Sequence, residues 1–318
     1  MKKKTNSMNI IFSGTSEFSA MHLIALLNSG YKIVLVLTKP DSFSGRGKKL
    51  TFSPVKKIAL KRSIPILQPN SLQEKKTFCT LRDYHADIMI VISYGYIFPK
   101  KIINLFKKGC INVHPSLLPR WRGATPIQSA ILKGDKITGV SLIQINEKID
   151  NGNILLSKSC IISKNETTYS LSKKLQFIGI KLLKKILKKI FFGTLIQKTQ
   201  NNKYATYSKK INKKDALLKW NKSALKLERK IRAFNPWPIT FFKFKETIIK
   251  VWKAKKINST SVLPIGTILE VNSKGIQINT NKEILNIEKI QFPGKKVISV
   301  KDLINSNKNY FSKQNKIS

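Results

Sequence analysis

Asn112 and His114 stand two residues apart in Ile111-Asn112-Val113-His114, a stretch with the apolar character of a buried strand. Residues two apart on a strand face the same way, so an amide and an imidazole are presented side by side. Asp150 comes later in the chain, in the polar turn Asp150-Asn151-Gly152 that follows another apolar run. An amide donor, an imidazole and a carboxylate suit acyl transfer to an amine. Asn112 can donate a hydrogen bond to a developing oxyanion. His114 can move protons or hold charge near neutral pH, and Asp150 can orient it or take the amine proton through water. No Ser or Cys is placed with a base as in a nucleophilic triad, Ser116 included, so direct transfer through a tetrahedral intermediate is expected. The same spacing also fits a plainer assignment: Asn112 satisfying a loop, His114 a buried polar residue and Asp150 capping a turn.

These groups need a scaffold. Strand candidates at Asn9–Ser13, Lys32–Thr38, Asp87–Ser93, Ile111–His114, Gly139–Ile145 and Ile154–Ser157 alternate with helix candidates near Glu17–Asn28, Pro54–Arg62, Leu72–Tyr84, Lys100–Phe106 and Pro126–Lys133. Continuous apolar strands alternating with helices predict a wound α/β sheet covered on both faces. Ligands bind such sheets at the carboxyl ends of the strands, where His114 falls. Pro115 halts its strand, and Ser116-Leu117-Leu118-Pro119-Arg120-Trp121-Arg122-Gly123 reads as a loop. The early junction Ile10-Ile11-Phe12-Ser13-Gly14-Thr15-Ser16-Glu17-Phe18 lacks a G-x-G-x-x-G pattern, so a tight sheet-edge loop is expected there rather than a dinucleotide site. Leu171, Leu175, Ile178, Leu182 and Ile186 recur at helical spacing within Thr167–Phe192 and predict a core-facing helix that closes the first domain. Polar residues 196–211 read as a linker. Beyond them, a helix over Asn221–Arg232 precedes strands at Ile239–Lys245, Thr247–Ala254, Gly266–Val271, Gly275–Thr280 and Ile284–Ile290, which suggest a small β-barrel. Asn305–Ser318 reads as frayed.

Composition bounds the class. The chain has 318 residues, 42% of them hydrophobic, which suffices for two packed domains. No apolar run approaches the roughly 20 residues of a membrane span, and no signal segment opens the chain. Cys79, Cys110 and Cys160 are too scattered for a disulfide framework or a metal pair, and with three His a transition-metal site is not expected. His22 and His85 read as helix or loop residues. The expectation is a reduced, cytoplasmic protein. The net charge of +44 points to a polyanionic partner. Abundant Lys, Ile and Asn also fit a codon bias toward A and T, which leaves the seven Arg more informative than the 53 Lys. Where Lys is the default base, an Arg marks a position that needs a planar fork. Arg46, Arg120, Arg122 and Arg232 all lie in the motif blocks that follow.

From Met8 onward the chain resembles the methionyl-tRNA formyltransferase family. Ile111-Asn112-Val113-His114-Pro115-Ser116-Leu117-Leu118-Pro119-Arg120-Trp121-Arg122-Gly123 and the residues up to Ile131 look like its folate-site and catalytic signature. Gly45-Arg46-Gly47-Lys48-Lys49-Leu50 looks like its tRNA-contacting loop. Ile231–Pro238, Val251–Ala254, Gly266–Leu269 and Gly294–Lys296 look like its C-terminal domain. The departures are Gly14-Thr15-Ser16-Glu17-Phe18 for the usual GTPDF and Asp150-Asn151-Gly152-Asn153 for the common DTGD. Lys2-Lys3-Lys4 precede the family's usual start, which aligns with Met8.

The resemblance implies an α/β, Rossmann-like formyltransferase domain with a mixed sheet over 1–195, a linker over 196–211, and an OB-like β-barrel over 212–318. It implies transfer of a formyl group from 10-formyltetrahydrofolate to the α-amino group of initiator methionyl-tRNA, by a monomer that uses no metal. Asn112, His114 and Asp150 take the catalytic positions, Ser116, Leu117, Leu118 and Pro119 the folate-binding segment, and Arg46, Lys48 and Lys49 the tRNA loop. The basic C-terminal domain is expected on tRNA phosphates, with Trp237 and Trp252 packing the core or an interface rather than stacking on bases. The alternatives are a formyltransferase or hydrolase of the same fold acting on a small molecule, a tRNA-binding protein whose catalytic domain has decayed, and a Rossmann oxidoreductase. The first is disfavoured by the basic loop and C-terminal domain, the second by the intact catalytic positions, and the third by the missing glycine fingerprint.

Overall fold

The structure is a computed structural model that describes residues 8–44, 49–306 and 310–317. The chain divides into two compact units. One holds the chain up to Pro126 together with Ile137–Ile161 and Ser172–Lys209; the other holds Ile127–Lys136, Ile162–Leu171 and the chain from Lys210.

The strands of the first unit are β1 (Asn9–Gly14), β2 (Lys32–Leu37), β3 (Ser42–Ser44), β4 (Lys49–Thr51), β5 (Ile66–Leu67), β6 (Ile88–Ile92), β7 (Cys110–His114), β8 (Arg122–Gly123), β9 (Ile137–Gln144), β10 (Ile154–Ile161) and β11 (Tyr207–Ser208). Seven of them form one mixed sheet in the order β10-β9-β7-β6-β1-β2-β5. The pairings from β5 through β7 are parallel, and β9 and β10 add antiparallel. β6 is buried along its whole length, as an all-apolar Ile-Met-Ile-Val-Ile strand in the middle of a covered sheet must be. β1 leads outward to β2 and β5 in one direction, whereas β6 and β7 continue in the other. The switch between β1 and β6 opens a crevice at the carboxyl ends of the strands.

Local chemistry sets the helices α1 (Glu17–Leu27), α2 (Pro54–Lys61), α3 (Lys75–Asp83), α4 (Lys100–Ile103), α5 (Pro126–Lys133) and α6 (Thr168–Phe191). Ser16 caps α1 by accepting from the Ser19 amide, and Ser53 caps α2 with Pro54 in its first turn. Gly14 is needed where β1 turns into α1, because a Cβ there would lie 2.8 Å from Ile92 O. In α6, Leu171, Leu175, Leu182 and Ile186 of the expected stripe are buried, and Ile178 is half-buried.

Of the expected linker, 196–211, residues 196–209 are tied into the first unit. Lys198 bridges Ile154, β11 pairs in parallel with β8, and Gln200 is buried. Most of the segment is exposed, as its polar composition predicts; the bonds that tie it down come from Gln200, Lys198 and β11, whose partners lie far away in sequence.

The second unit contains α7 (Ala224–Ala233), α8 (Val300–Asn305) and the antiparallel strands β12 (Thr240–Phe244), β13 (Thr247–Ile257), β14 (Ile268–Asn272), β15 (Gly275–Asn279), β16 (Ile284–Gln291) and β17 (Ile298–Ser299). The ladder runs β12-β13-β16-β15-β14, with β17 on β16. Its edges receive isolated bridges from other segments, Leu217 to Phe241 and Lys316 to Thr267. Over the described residues 310–317 the expected fraying is corrected by that second bridge. Phe311 and Ile317 are buried, and the Ile268 amide donates to Asn315 O. Apolar anchors within a lysine-rich tail supply the reason. Trp252 is partly buried and its indole donates to Gln291 Oε1 at 3.0 Å, whereas Trp237, expected to be packed, is 50% exposed.

Candidate active site

β7 places Asn112 and His114 at its carboxyl end. Asn112 is registered with Val91 of β6 and Ile143 of β9, and His114 with Ser141. Asp150 arrives from the turn after β9 with φ of +48°. Gly152 permits that turn, since a Cβ there would fall 1.6 Å from Gln144 O.

The three side chains converge. Asn112 Nδ2 donates to Asp150 Oδ1 at 3.0 Å, which fixes the orientation of the amide. The Gly123 amide donates to Asp150 Oδ2 at 2.8 Å, and His114 Nδ1 lies 3.5 Å from the same oxygen. His114 Nε2 is 2.9 Å from Trp121 O. A carbonyl only accepts, so Nε2 carries a hydrogen and Nδ1 is the nitrogen turned to the carboxylate. His114 is 4% exposed.

All three line a cavity of about 580 Å³. Its walls are apolar at Val91, Tyr96, Ile97, Phe98, Ile143 and Ile145. Thr15 Oγ1 and Tyr94 Oη, on two further lining residues, are buried with no hydrogen-bond partner among the described residues. Burial pushes the Tyr94 phenol up, so it stays a neutral donor. An apolar slot with a few convergent polar groups suits a flat heterocycle bearing its own donors and acceptors.

Ser116, Leu117, Leu118 and Pro119, the expected folate-binding segment, follow β7 but are not among the described residues that line this cavity. Their polar groups are used within the loop: Ser116 Oγ donates to Arg120 O, Ser141 Oγ donates to Ser116 O, and the Leu118 amide donates to Ser141 Oγ. The lining comes instead from the stretch Ser93–Phe98 after β6 and from Ile143–Asp150. The carboxyl-end rule combined with the aromatic run Tyr94-Gly95-Tyr96-Ile97-Phe98 was the signal available for the first. Of the expected tRNA loop, Arg46 and Lys48 lie outside the described residues, and Lys49 is exposed at the start of β4. Among the described residues no helix is long and apolar enough to cross a membrane.

Comparison with known proteins gives consistent results. The family described as "Formyl transferase" matches residues 6–187, and "Formyl transferase, C-terminal domain" matches residues 210–308. A methionyl-tRNA formyltransferase of Buchnera aphidicola subsp. Acyrthosiphon pisum is 56% identical over 305 residues, covering 96% of this chain and 97% of its own. Another, from Buchnera aphidicola subsp. Schizaphis graminum, is 54% identical over 312 residues, covering 98% of each. A sugar 3N-formyl transferase crystallised in the presence of dTDP and 5-N-formyl-THF shares the fold at a TM-score of 0.66 and 20% identity, covering 91% of this chain and 99% of its own.

Proposed function

This chain belongs to the methionyl-tRNA formyltransferase family, and we propose that Asn112, His114 and Asp150 carry its formyl transfer, with 10-formyltetrahydrofolate as donor and initiator methionyl-tRNA as acceptor. The observation that carries the assignment is the convergence of the three side chains on one cavity at the carboxyl edge of the sheet.

The residues present fit the donor. The cavity is apolar where a heterocycle would stack, and Asn112, His114 and Asp150 supply the polar groups at one side of it. When bound, the folate supplies an activated formyl carbon. Asn112 and His114 stabilise the charge that grows on the carbonyl oxygen as the amine attacks. Asp150 anchors both side chains before the reaction, so little reorganisation is needed during it. The methionyl amine must arrive neutral, and the Asp150–His114 pair is the group placed to receive its proton. Arg46, Lys48 and Lys49 contact the tRNA acceptor end, and lysines of the C-terminal unit meet phosphates along the tRNA body, so affinity falls as salt rises. The protein acts as a cytoplasmic monomer.

The test incubates the protein with labelled 10-formyltetrahydrofolate and two methionyl-tRNAs, initiator and elongator. Label on the initiator alone is expected. Label on neither, or on both equally, overturns the proposed acceptor.

A further inference from the structure

Arg122 is a cation buried to 2% exposure, yet among the described residues no carboxylate bonds to it. Its Nε and Nη2 donate to Gln200 Oε1 at 3.1 and 2.7 Å, Nη2 donates to Asn202 Oδ1 at 2.8 Å, and Nη1 to the Tyr207 hydroxyl at 3.4 Å. Burying a charge on neutral oxygens alone is a costly way to fill space. What the fork accomplishes is orientation. With Oε1 of Gln200 held, its Nε2 must point the other way, where it donates to Asp150 O at 2.9 Å and to Gly152 O at 2.7 Å. The first is the carbonyl of Asp150 itself, the left-handed residue whose carboxylate faces Asn112 and His114, and the second lies two residues on, so the Gln200 amide pins the turn from Asp150 to Gly152. The backbone on either side of Arg122 serves the same site, since Trp121 O accepts from His114 and Gly123 N donates to Asp150. The segment that includes Gln200 also grips this strand directly: the Trp121 amide donates to Thr206 Oγ1 and the Arg122 amide to Thr206 O.

We propose that Gln200 and Arg122 are positioning residues, a buried relay through which residues 200–208 set the Asp150 turn and hence the geometry of formyl transfer. The inference rests on the role given to Asp150 above. Arg122 is also one of the rare arginines in a lysine-dominated chain, and its position uses the planar fork that lysine lacks.

Gln200→Glu isolates the effect. A glutamate keeps an acceptor for Arg122 but cannot donate to Asp150 O or Gly152 O. Gln200→Leu removes both sides of the relay. For each variant, kcat is expected to fall roughly 10- to 100-fold, the range for a small misplacement of reacting groups. KM for methionyl-tRNA and for 10-formyltetrahydrofolate should stay within about twofold, the split expected when transition-state interactions alone are lost. In an Asp150→Asn background the same substitutions should cost less than about twofold, because residues acting as one unit are not additive. Wild-type kcat in the Gln200 variants, a full further loss in the Asp150→Asn background, or loss of fold in both variants by thermal melt would each overturn the proposal. Wild-type turnover of Asp150→Asn by itself would instead remove the role of Asp150, and the relay with it.

Discussion

The Gly123 amide donates to Asp150 Oδ2 at 2.8 Å, across the width of the active-site loop. A main-chain donor cannot rotate away as a side chain can, so the carboxylate is fixed before either substrate arrives. Its second oxygen is committed to Asn112.

Two substitutions separate the parts of this arrangement. His114→Ala removes a charge-stabilising and proton-transfer group and is expected to lower kcat about 10²- to 10⁴-fold, with folate and tRNA binding retained. Asp150→Asn replaces a carboxylate that holds two donors, one on each oxygen, with an amide that can accept through only one oxygen, and should lower kcat without raising KM in proportion. Steady-state kinetics on both substrates check each; near-normal turnover of His114→Ala would refute its assignment.

Gly152→Ala tests the turn itself. The added methyl would sit 1.6 Å from Gln144 O, a backbone atom in β9 that has no freedom to withdraw. The expected cost is about 1–3 kcal/mol, the range for forced overpacking, read as a lowered midpoint in urea unfolding. An unchanged midpoint would show that the turn has a second conformation of equal stability.

His22 predicts an acid dependence unrelated to catalysis. Its Nδ1–H donates to Phe18 O at 2.7 Å, and its Nε2 is buried without a partner, close enough to Gly179 that a Cβ there would come within 2.6 Å. Burial lowers its pKa from 6.5 to about 4. Above pH 6.5 the ring is neutral in both folded and unfolded chains and contributes no pH dependence. Between 6.5 and 4 the unfolded chain takes up a proton that the folded chain refuses, so stability falls as pH falls, by at most roughly 3 kcal/mol. Urea unfolding from pH 7.5 to 4.5 should show this decline in the wild-type chain and a shallower one in His22→Leu. Equal slopes would mean that His22 titrates normally when folded.

Arg232 tests whether the scarce arginines mark fork sites. In α7 it meets both oxygens of Glu228, through Nε and Nη2, while Nη1 donates to Glu166 O at 2.9 Å. Lysine offers one ammonium where three separate nitrogens are engaged. Arg232→Lys is expected to cost about 1–2 kcal/mol of stability, measured by the urea midpoint. No loss would mean that arginine there is incidental.

The sequence by itself determined the period and order of the main elements. The buried strand at Ile88–Ile92 declares itself by an unbroken apolar run, Cys110–His114 by apolar residues alternating with Asn112 and His114, and Pro126–Lys133 is helical where its pattern places it, because burial of apolar side chains is the dominant local constraint. The pairing of Asn112 with His114 was legible too, because strand alternation is a one-dimensional rule. Three things were decided only by the tertiary structure. The approach of Asp150 to β7 depends on the antiparallel addition of β9 and on a turn closed by Gly152, neither of which follows from spacing. The cavity walls come from loops after different strands, brought together by the switch in strand order. And within the polar, largely exposed residues 196–209, buried Gln200 bonds Arg122 and the Asp150 turn, while Asn202 and Tyr207 bond Arg122. A hydrogen bond between buried polar groups leaves no periodic trace in a sequence, so the one residue of a polar stretch that serves the interior looks like its solvated neighbours.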